Sequence, residues 1–408
     1  MKKIIDILTS VLFAAFIFAF ALAFVLTPDT DFSEEENRSL KTFPKFTWER
    51  LLDGSFSSDI NEYFADQFPA RDSLVGIKGV TETLLLKGEN NGVLLGDDGQ
   101  LAVRLFDSYK SRLERTHDMD YYYTENVALA VDALNAFAKS SAVPVTTMLP
   151  PRSVDVAVSA FDYPTEISDA LDAQLAESIG PEAGYLTDLR AQMESRYAAG
   201  EYVYFRTDHH WTTYGAYIAY TMLMREWGME DEIIPQDAFT VETVERFYGT
   251  TWSRAGYKFV GPDTLEIWSL DSEDGFTTTC YAKKQVKGED GKPAKVKEAY
   301  KTFPGWLNRD YLAKKDKYAA FLDSTHNEQT VFKNDGKDRP RPRLLIAKDS
   351  FANTMVPFLA QHFDLVLVNL AGRMTDLTSY VSEYGCDRVL IVWNRANLIE
   401  NNILAAIK

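Results

Sequence analysis

Leu344-Leu345-Ile346-Ala347-Lys348-Asp349-Ser350-Phe351 is the stretch from which the fold is read. Its first four residues are a short unbroken apolar run, and the next four turn into a helical segment expected over residues 353–362. A second apolar run, 365–370, follows at once. Strand, helix, strand is the repeating unit of an α/β domain, and continuous rather than alternating hydrophobicity marks strands covered on both faces of a parallel sheet. Similar runs recur at 143–149, 202–205 and 389–393. Helical spacing of apolar residues separates them at 167–179, 212–227 and 376–384, and an alanine-rich helix is expected over 121–140. The order predicts a doubly wound α/β domain.

Working outward, the pattern changes between about 229 and 335. That segment is rich in Thr, Tyr, Lys and Gly, with a β-type run at 264–269 and a turn at Gly288-Glu289-Asp290-Gly291-Lys292-Pro293. It reads as an insertion of β character. Residues 90–99 read as a short strand between an Asn-Gly and an Asp-Gly turn. Residues 28–50 are polar and charged and read as a linker. The domain is therefore expected to occupy 51–408.

The first 27 residues are of another kind. Lys2 and Lys3 precede an apolar run from Ile7 to Leu26, about the 20 residues that cross a bilayer as a helix. The lysines should stay on the cytoplasmic side, so the bulk of the chain is expected outside. Two readings stay open. The run is a retained signal anchor or transmembrane helix, or it is a cleaved signal peptide, for which Ala19-Phe20-Ala21 and Ala21-Leu22-Ala23 resemble cleavage sites. The protein is then expected at the extracytoplasmic face of the cell membrane, or secreted.

Composition removes several classes of function. A net charge of −17 argues against nucleic acid as a partner, since phosphates call for basic surface. With 46% hydrophobic and 13% aromatic residues the chain is globular. Two cysteines, Cys280 and Cys386, give no disulfide framework, and no Cys/His cluster suggests zinc. No metal and no cofactor is expected.

The chemistry lies in Arg206-Thr207-Asp208-His209-His210-Trp211-Thr212-Thr213, which holds two of the five histidines. A serine hydroxyl is a weak nucleophile until a base takes its proton, and histidine is the usual base. A carboxylate fixes the imidazole tautomer, and donors stabilise the oxyanion. Residues two apart in an extended segment face the same way, so Asp208 and His210 can act together while His209 makes a polar contact. The run follows the strand expected at 202–205, at the strand end where α/β sheets bind ligands. Ser350 sits equivalently, between a strand and a helix start. There its own N–H is the first oxyanion donor and Asn353 and Gly249 are further ones. Arg373 and Arg395, just beyond two expected strands, could bind an anionic or hydroxylated substrate. With Asn353, Gly249 and Trp211 they make up the expected substrate-binding set.

Asp208-His209-His210-Trp211 together with Lys348-Asp349-Ser350-Phe351 resembles the DHHW protein family. It is also similar to the periplasmic alginate O-acetyltransferases, which are SGNH-hydrolase-like. The resemblance runs from about 55 to 400 and takes in 64–71, 92–99, Pro150-Pro151 and the last strand near Arg395. It implies an SGNH-hydrolase-like three-layer α/β/α domain with a mainly parallel sheet. It also implies Ser350 as nucleophile, His210 as base and Asp208 as orienting acid, in an order permuted from ordinary SGNH esterases, whose serine comes first. Lys348 stands where the family has glycine, a residue that allows backbone conformations lysine resists. The implied activity is an extracytoplasmic O-acetyltransferase or O-acetylesterase acting on a cell-surface polysaccharide, with a membrane acyl-donor partner expected from the relatives. Two alternatives stay open: an anchored glycan-binding or assembly protein without catalysis, and a metal-dependent phosphoesterase using Asp-His-His.

Overall fold

The computed structural model describes residues 2–33, 35–36, 38–104, 125–161, 166–270, 275–287, 293–324, 326–334, 341–370 and 375–408. They form two compact units, one of residues up to 91 with 252–259, the other of 92–251 with 260–408.

The first unit begins with α1, Lys2–Leu26. This helix is long and apolar enough to cross a membrane, and none of it is buried. Its last turns meet the helix Ser55–Asp66 and the residues after it: Phe24 lies edge-on to Tyr63 and Phe20 stacks on Phe68. Arg38 holds the end of the same helix through a two-pronged bond to Asp66, at 3.0 and 2.6 Å.

The second unit is built on a seven-stranded sheet. In chain order its strands are β1 (Val145–Met148), β2 (Phe276–Lys287), β3 (Pro293–Pro304), β4 (Glu328–Lys333), β5 (Arg343–Lys348), β6 (Asp364–Asn369) and β7 (Arg388–Val392). In space they run β3-β2-β4-β6-β5-β7-β1. The block β6-β5-β7-β1 is parallel throughout. The β-rich insertion supplies β2, β3 and β4, which extend the sheet through antiparallel pairings. The parallel sheet expected from the apolar runs is therefore this four-strand block, and the whole sheet is mixed.

Alternation along the parallel strands makes two cores. Leu344, Ile346, Leu365, Leu367 and Leu390 face one side, where the helices Leu189–Ala198 and Thr213–Glu226 pack. Leu345, Ala347, Val366, Val368 and Ile391 face the other, under the helices Glu125–Ser140 and Glu166–Ser178. Side chains on a strand point alternately to opposite faces, so two apolar faces require two helical layers. The result is the three-layer α/β/α architecture of SGNH-like domains.

Two expected elements differ. Residues 202–205 join no sheet. Only Tyr204 makes a bridge, to Trp211, because the chain folds back with Phe205 N–H bonded to His210 O and Thr212 N–H to Val203 O. Val203, Tyr204 and Phe205 are fully buried, so their unbroken hydrophobicity reflects burial in a core-facing loop rather than a ladder. The helix expected at 353–362 starts earlier and is tighter: a 3-10 helix Ser350–Met355 runs into the short α-helix Val356–Leu359. The helix expected at 121–140 is seen over Glu125–Ser140, and residues 121–124 lie outside the described residues.

Candidate active site

The two halves of the site come from different kinds of structure. Ser350 is placed by the sheet. Lys348, the last residue of β5, pairs with Asn369 of β6 and Val392 of β7. Its backbone is thus extended and outside the left-handed region, so the position does not need glycine. Asp349 donates its N–H to Val392 O at 3.0 Å and caps the helix by accepting from Phe351 N–H, also at 3.0 Å. The same carboxylate accepts from Asn394 N–H at 2.7 Å and Asn394 Nδ2 at 2.6 Å. Burial raises the pKa of Asp349 and these donors only partly offset it. All of its acceptor capacity goes into holding the turn, so Ser350 projects from the carboxyl end of a central parallel strand.

Asp208 and His210 are placed by a loop. Asp263 stitches it, its carboxylate accepting from Arg206 N–H at 3.1 Å, Thr207 N–H at 2.7 Å and Thr207 Oγ1 at 2.5 Å. Thr212 then caps the helix Thr213–Glu226 by accepting from Gly215 N–H at 3.1 Å. Between these anchors Asp208 and His210 turn to the same side.

The three side chains form one hydrogen-bonded chain. Asp208 Oδ1 lies 2.5 Å from His210 Nδ1, and His210 Nε2 lies 2.7 Å from Ser350 Oγ. A carboxylate only accepts, so Nδ1 carries the proton and Nε2 accepts from the serine. Thr250 holds the second oxygen of Asp208, donating from its N–H at 2.8 Å and its hydroxyl at 2.9 Å. Burial alone would raise the pKa of Asp208, but both imidazoles and these donors hold it well below the usual carboxylate range.

Each expected residue can now be placed. His209 lies partly exposed, its ring 3.9 Å from that of His210 and tilted 37° to it, with Nδ1 2.9 Å from Thr250 Oγ1. Asp208, His209 and His210 are close enough together to suit a metal ion. Both oxygens of Asp208 and both ring nitrogens of His210 are already engaged, so the donor set fits proton transfer better than ligation. Gly249 is not an oxyanion donor, because its N–H goes to Thr207 Oγ1 at 3.1 Å. Its use is spatial: a Cβ there would lie 2.3 Å from Asp208 Cβ. Trp211 is not open to a substrate. It is fully buried, and its indole N–H is shared by Phe351 O at 3.1 Å and Thr354 Oγ1 at 2.9 Å. Arg395 is also fully buried, where it ion-pairs with Asp172. Asn353 is buried beside Lys348. Arg373 lies outside the described residues.

Three contributors had no usable signal in the sequence. Tyr318 stacks on the His210 ring, centroids 4.0 Å apart and planes 11° from parallel, and its hydroxyl donates to Ser350 O at 3.0 Å. Burial raises its pKa well above the ordinary phenol value, so it stays a donor. Thr250 holds Asp208 from 42 positions away in the chain, and Asp263 holds Thr207 from 56 positions away.

With this geometry in place, residues 185–369 match the model of the DHHW protein family. The chain resembles the DHHW proteins. Residues 108–259 also match a model described as SGNH hydrolase-like domain, acetyltransferase AlgX. Among solved structures, a DHHW family protein from Eubacterium siraeum is 20% identical, with a TM-score of 0.57 over 78% of this chain and 95% of that one. PatB1 of Bacillus cereus, solved with a sulfonyl adduct, is 19% identical, with a TM-score of 0.55 over 78% of this chain and 100% of that one. At such identities these two likenesses bear on the fold. No curated protein matches the chain.

Proposed function

We propose that the protein is an extracytoplasmic, serine-dependent O-acetyltransferase or O-acetylesterase acting on a cell-surface polysaccharide. The observation that carries this reading is the continuous chain Asp208–His210–Ser350 at hydrogen-bond distances. Ser350 Oγ attacks the acetyl carbonyl carbon as its proton passes to His210 Nε2. Asp208 keeps the imidazole in the Nδ1–H tautomer and stabilises the imidazolium. The tetrahedral intermediate collapses as His210 returns the proton to the leaving alkoxide, which departs as the alcohol and leaves an acetyl ester on Ser350. A sugar hydroxyl or water, deprotonated by His210, then takes the acetyl group.

The match to a domain described as acetyltransferase AlgX supports the choice of acetyl. The apolar helix Lys2–Leu26, with Lys2 and Lys3 in its first turn, supports placement outside the cytoplasm, anchored or secreted. An anchored form would sit beside a membrane acyl donor. The test is release of 4-nitrophenol from 4-nitrophenyl acetate, followed by acetyl release from O-acetylated envelope glycans. Ser350→Ala should reduce both to background. Unchanged turnover in that variant would refute the serine mechanism.

A further inference from the structure

A surface helix ordinarily turns an apolar stripe inward and a polar face to water. The helix Arg71–Leu84 does the reverse. Its inner face is made of small residues: a Cβ on Gly79 would lie 2.5 Å from Gly256 O, and one on Gly76 would lie 3.0 Å from Lys258 Cγ. Gly79 is its one buried residue. Leu74, Ile77, Val80 and Leu84 lie on the outer side, three or four positions apart, and are 40, 60, 43 and 77% exposed. Leu85 and Leu86, also exposed, prolong the row. A contiguous apolar row of this length marks a surface that something covers.

The row begins beside α1. Phe68, just ahead of the helix Arg71–Leu84, stacks on Phe20 with centroids 5.3 Å apart, and Phe64 meets Phe24 at 5.2 Å. Phe20 lies six residues before Leu26, the last residue of α1. At the rise of an α-helix that is about 9 Å along the axis. The segment between the helices is no free tether. Gln67 accepts from Thr30 N–H at 3.0 Å and donates to Thr30 O and Lys41 O, both at 2.9 Å. Where α1 crosses a bilayer, Phe68 and the start of the next helix therefore sit at the depth where amphipathic helices lie in the membrane interface.

Resting on the anchored form of the reading above, we propose that the outer face of the helix Arg71–Leu84, with Phe64 and Phe68, is a second membrane contact, lying in the outer interface of the bilayer that α1 crosses. The occupant is lipid rather than another chain, because the row is continuous with a helix that itself meets lipid. A single spanning helix leaves what it carries free to swivel, whereas a second contact fixes the tilt of this unit on the membrane.

The test uses the full chain in vesicles of phosphatidylcholine and phosphatidylglycerol. Nitroxide spin labels are placed on Leu74→Cys, Ile77→Cys and Leu84→Cys in turn. Cys280 and Cys386 are buried, so the parent should take up little label. All three positions are exposed, so the melting temperature of each labelled variant should match the parent's. Power saturation then compares collisions with oxygen, which concentrates in lipid, and with a water-soluble nickel chelate. Oxygen collisions should exceed nickel collisions several-fold at all three positions. Nickel favoured at any of them would overturn the bilayer contact. Suppression of both would overturn it too, since that is the mark of a second copy or another protein on the face. The intact mass of the membrane-bound chain separates the failures. A chain cut after Ala21 or Ala23 would bring down the anchored reading and the contact together. An uncut chain with nickel-favoured labels would bring down the contact alone, and neither result touches the Ser350 mechanism.

Discussion

The turn that carries Ser350 and the loop that carries His210 reach the same point by different physics. Ser350 stands at the end of β5, flanked on both sides by parallel strands, and backbone register fixes its place. His210 stands on a loop that joins no sheet, and side chains fix it: Asp263 on Arg206 and Thr207, Thr250 on Asp208, Trp211 on Phe351 and Thr354, Tyr318 on the ring itself. A ladder spreads its positional control over many bonds, whereas the loop concentrates it in a few buried polar groups. Changes in the loop should therefore cost catalysis out of proportion to stability, and changes in β5 the reverse.

The largest expected effect is that of His210→Ala, which removes the proposed base and should lower kcat for 4-nitrophenyl acetate by about 10³-fold or more, with the melting temperature little changed. Collapse of the fold in this variant would break the contrast between loop and sheet. Asp208→Asn comes next, at about 10²- to 10⁴-fold in kcat, because the amide can favour the wrong imidazole tautomer. It carries a pH signature as well. The folded pKa of Asp208 is depressed, so its stabilising contribution is complete above the ordinary carboxylate value and is lost as pH falls toward the depressed one. The stability gap between parent and Asp208→Asn should thus narrow below about pH 4, as read by urea melts. A gap that widens with acid would contradict the assignment. Gly249→Ala should follow, at about 10²-fold in kcat, since the added Cβ meets Asp208 Cβ rather than the tip of a flexible side chain. A crystal structure of that variant with Asp208 unmoved would show the glycine to be dispensable. The smallest effect belongs to Trp211→Phe, which loses one indole donor shared by two acceptors. A destabilisation of about 1–2 kcal/mol is expected, with kcat within about 10-fold.

The same contrast governs what could be read from the sequence. Strands β5, β6, β7 and β1 announce themselves as unbroken apolar runs, because two-sided burial writes a local pattern. The run at 202–205 has the same pattern and is no sheet strand, since burial of Val203, Tyr204 and Phe205 produces it without a ladder. That Asp208, His210 and Ser350 would meet was an expectation from residue type, strand-end placement and family resemblance, and their side chains do form one hydrogen-bonded chain. Tyr318, Thr250 and Asp263 were not legible, because each acts only through a contact distant in the chain. Arg395 shows the opposite error: a charged residue at a strand end resembles a ligand-binding group until its carboxylate partner, Asp172, is seen. Gly249 was picked out for its N–H but serves through its missing side chain.

The central claim is that Ser350 carries the acyl group. Its most direct test is to quench the protein during turnover of 4-nitrophenyl acetate and to map the acetylated residue by peptide mass. The account predicts one acetyl group on the peptide containing Ser350, absent from Ser350→Ala and accumulating far more slowly in His210→Ala. Acetylation at another residue, with 4-nitrophenol release undiminished in Ser350→Ala, would contradict it.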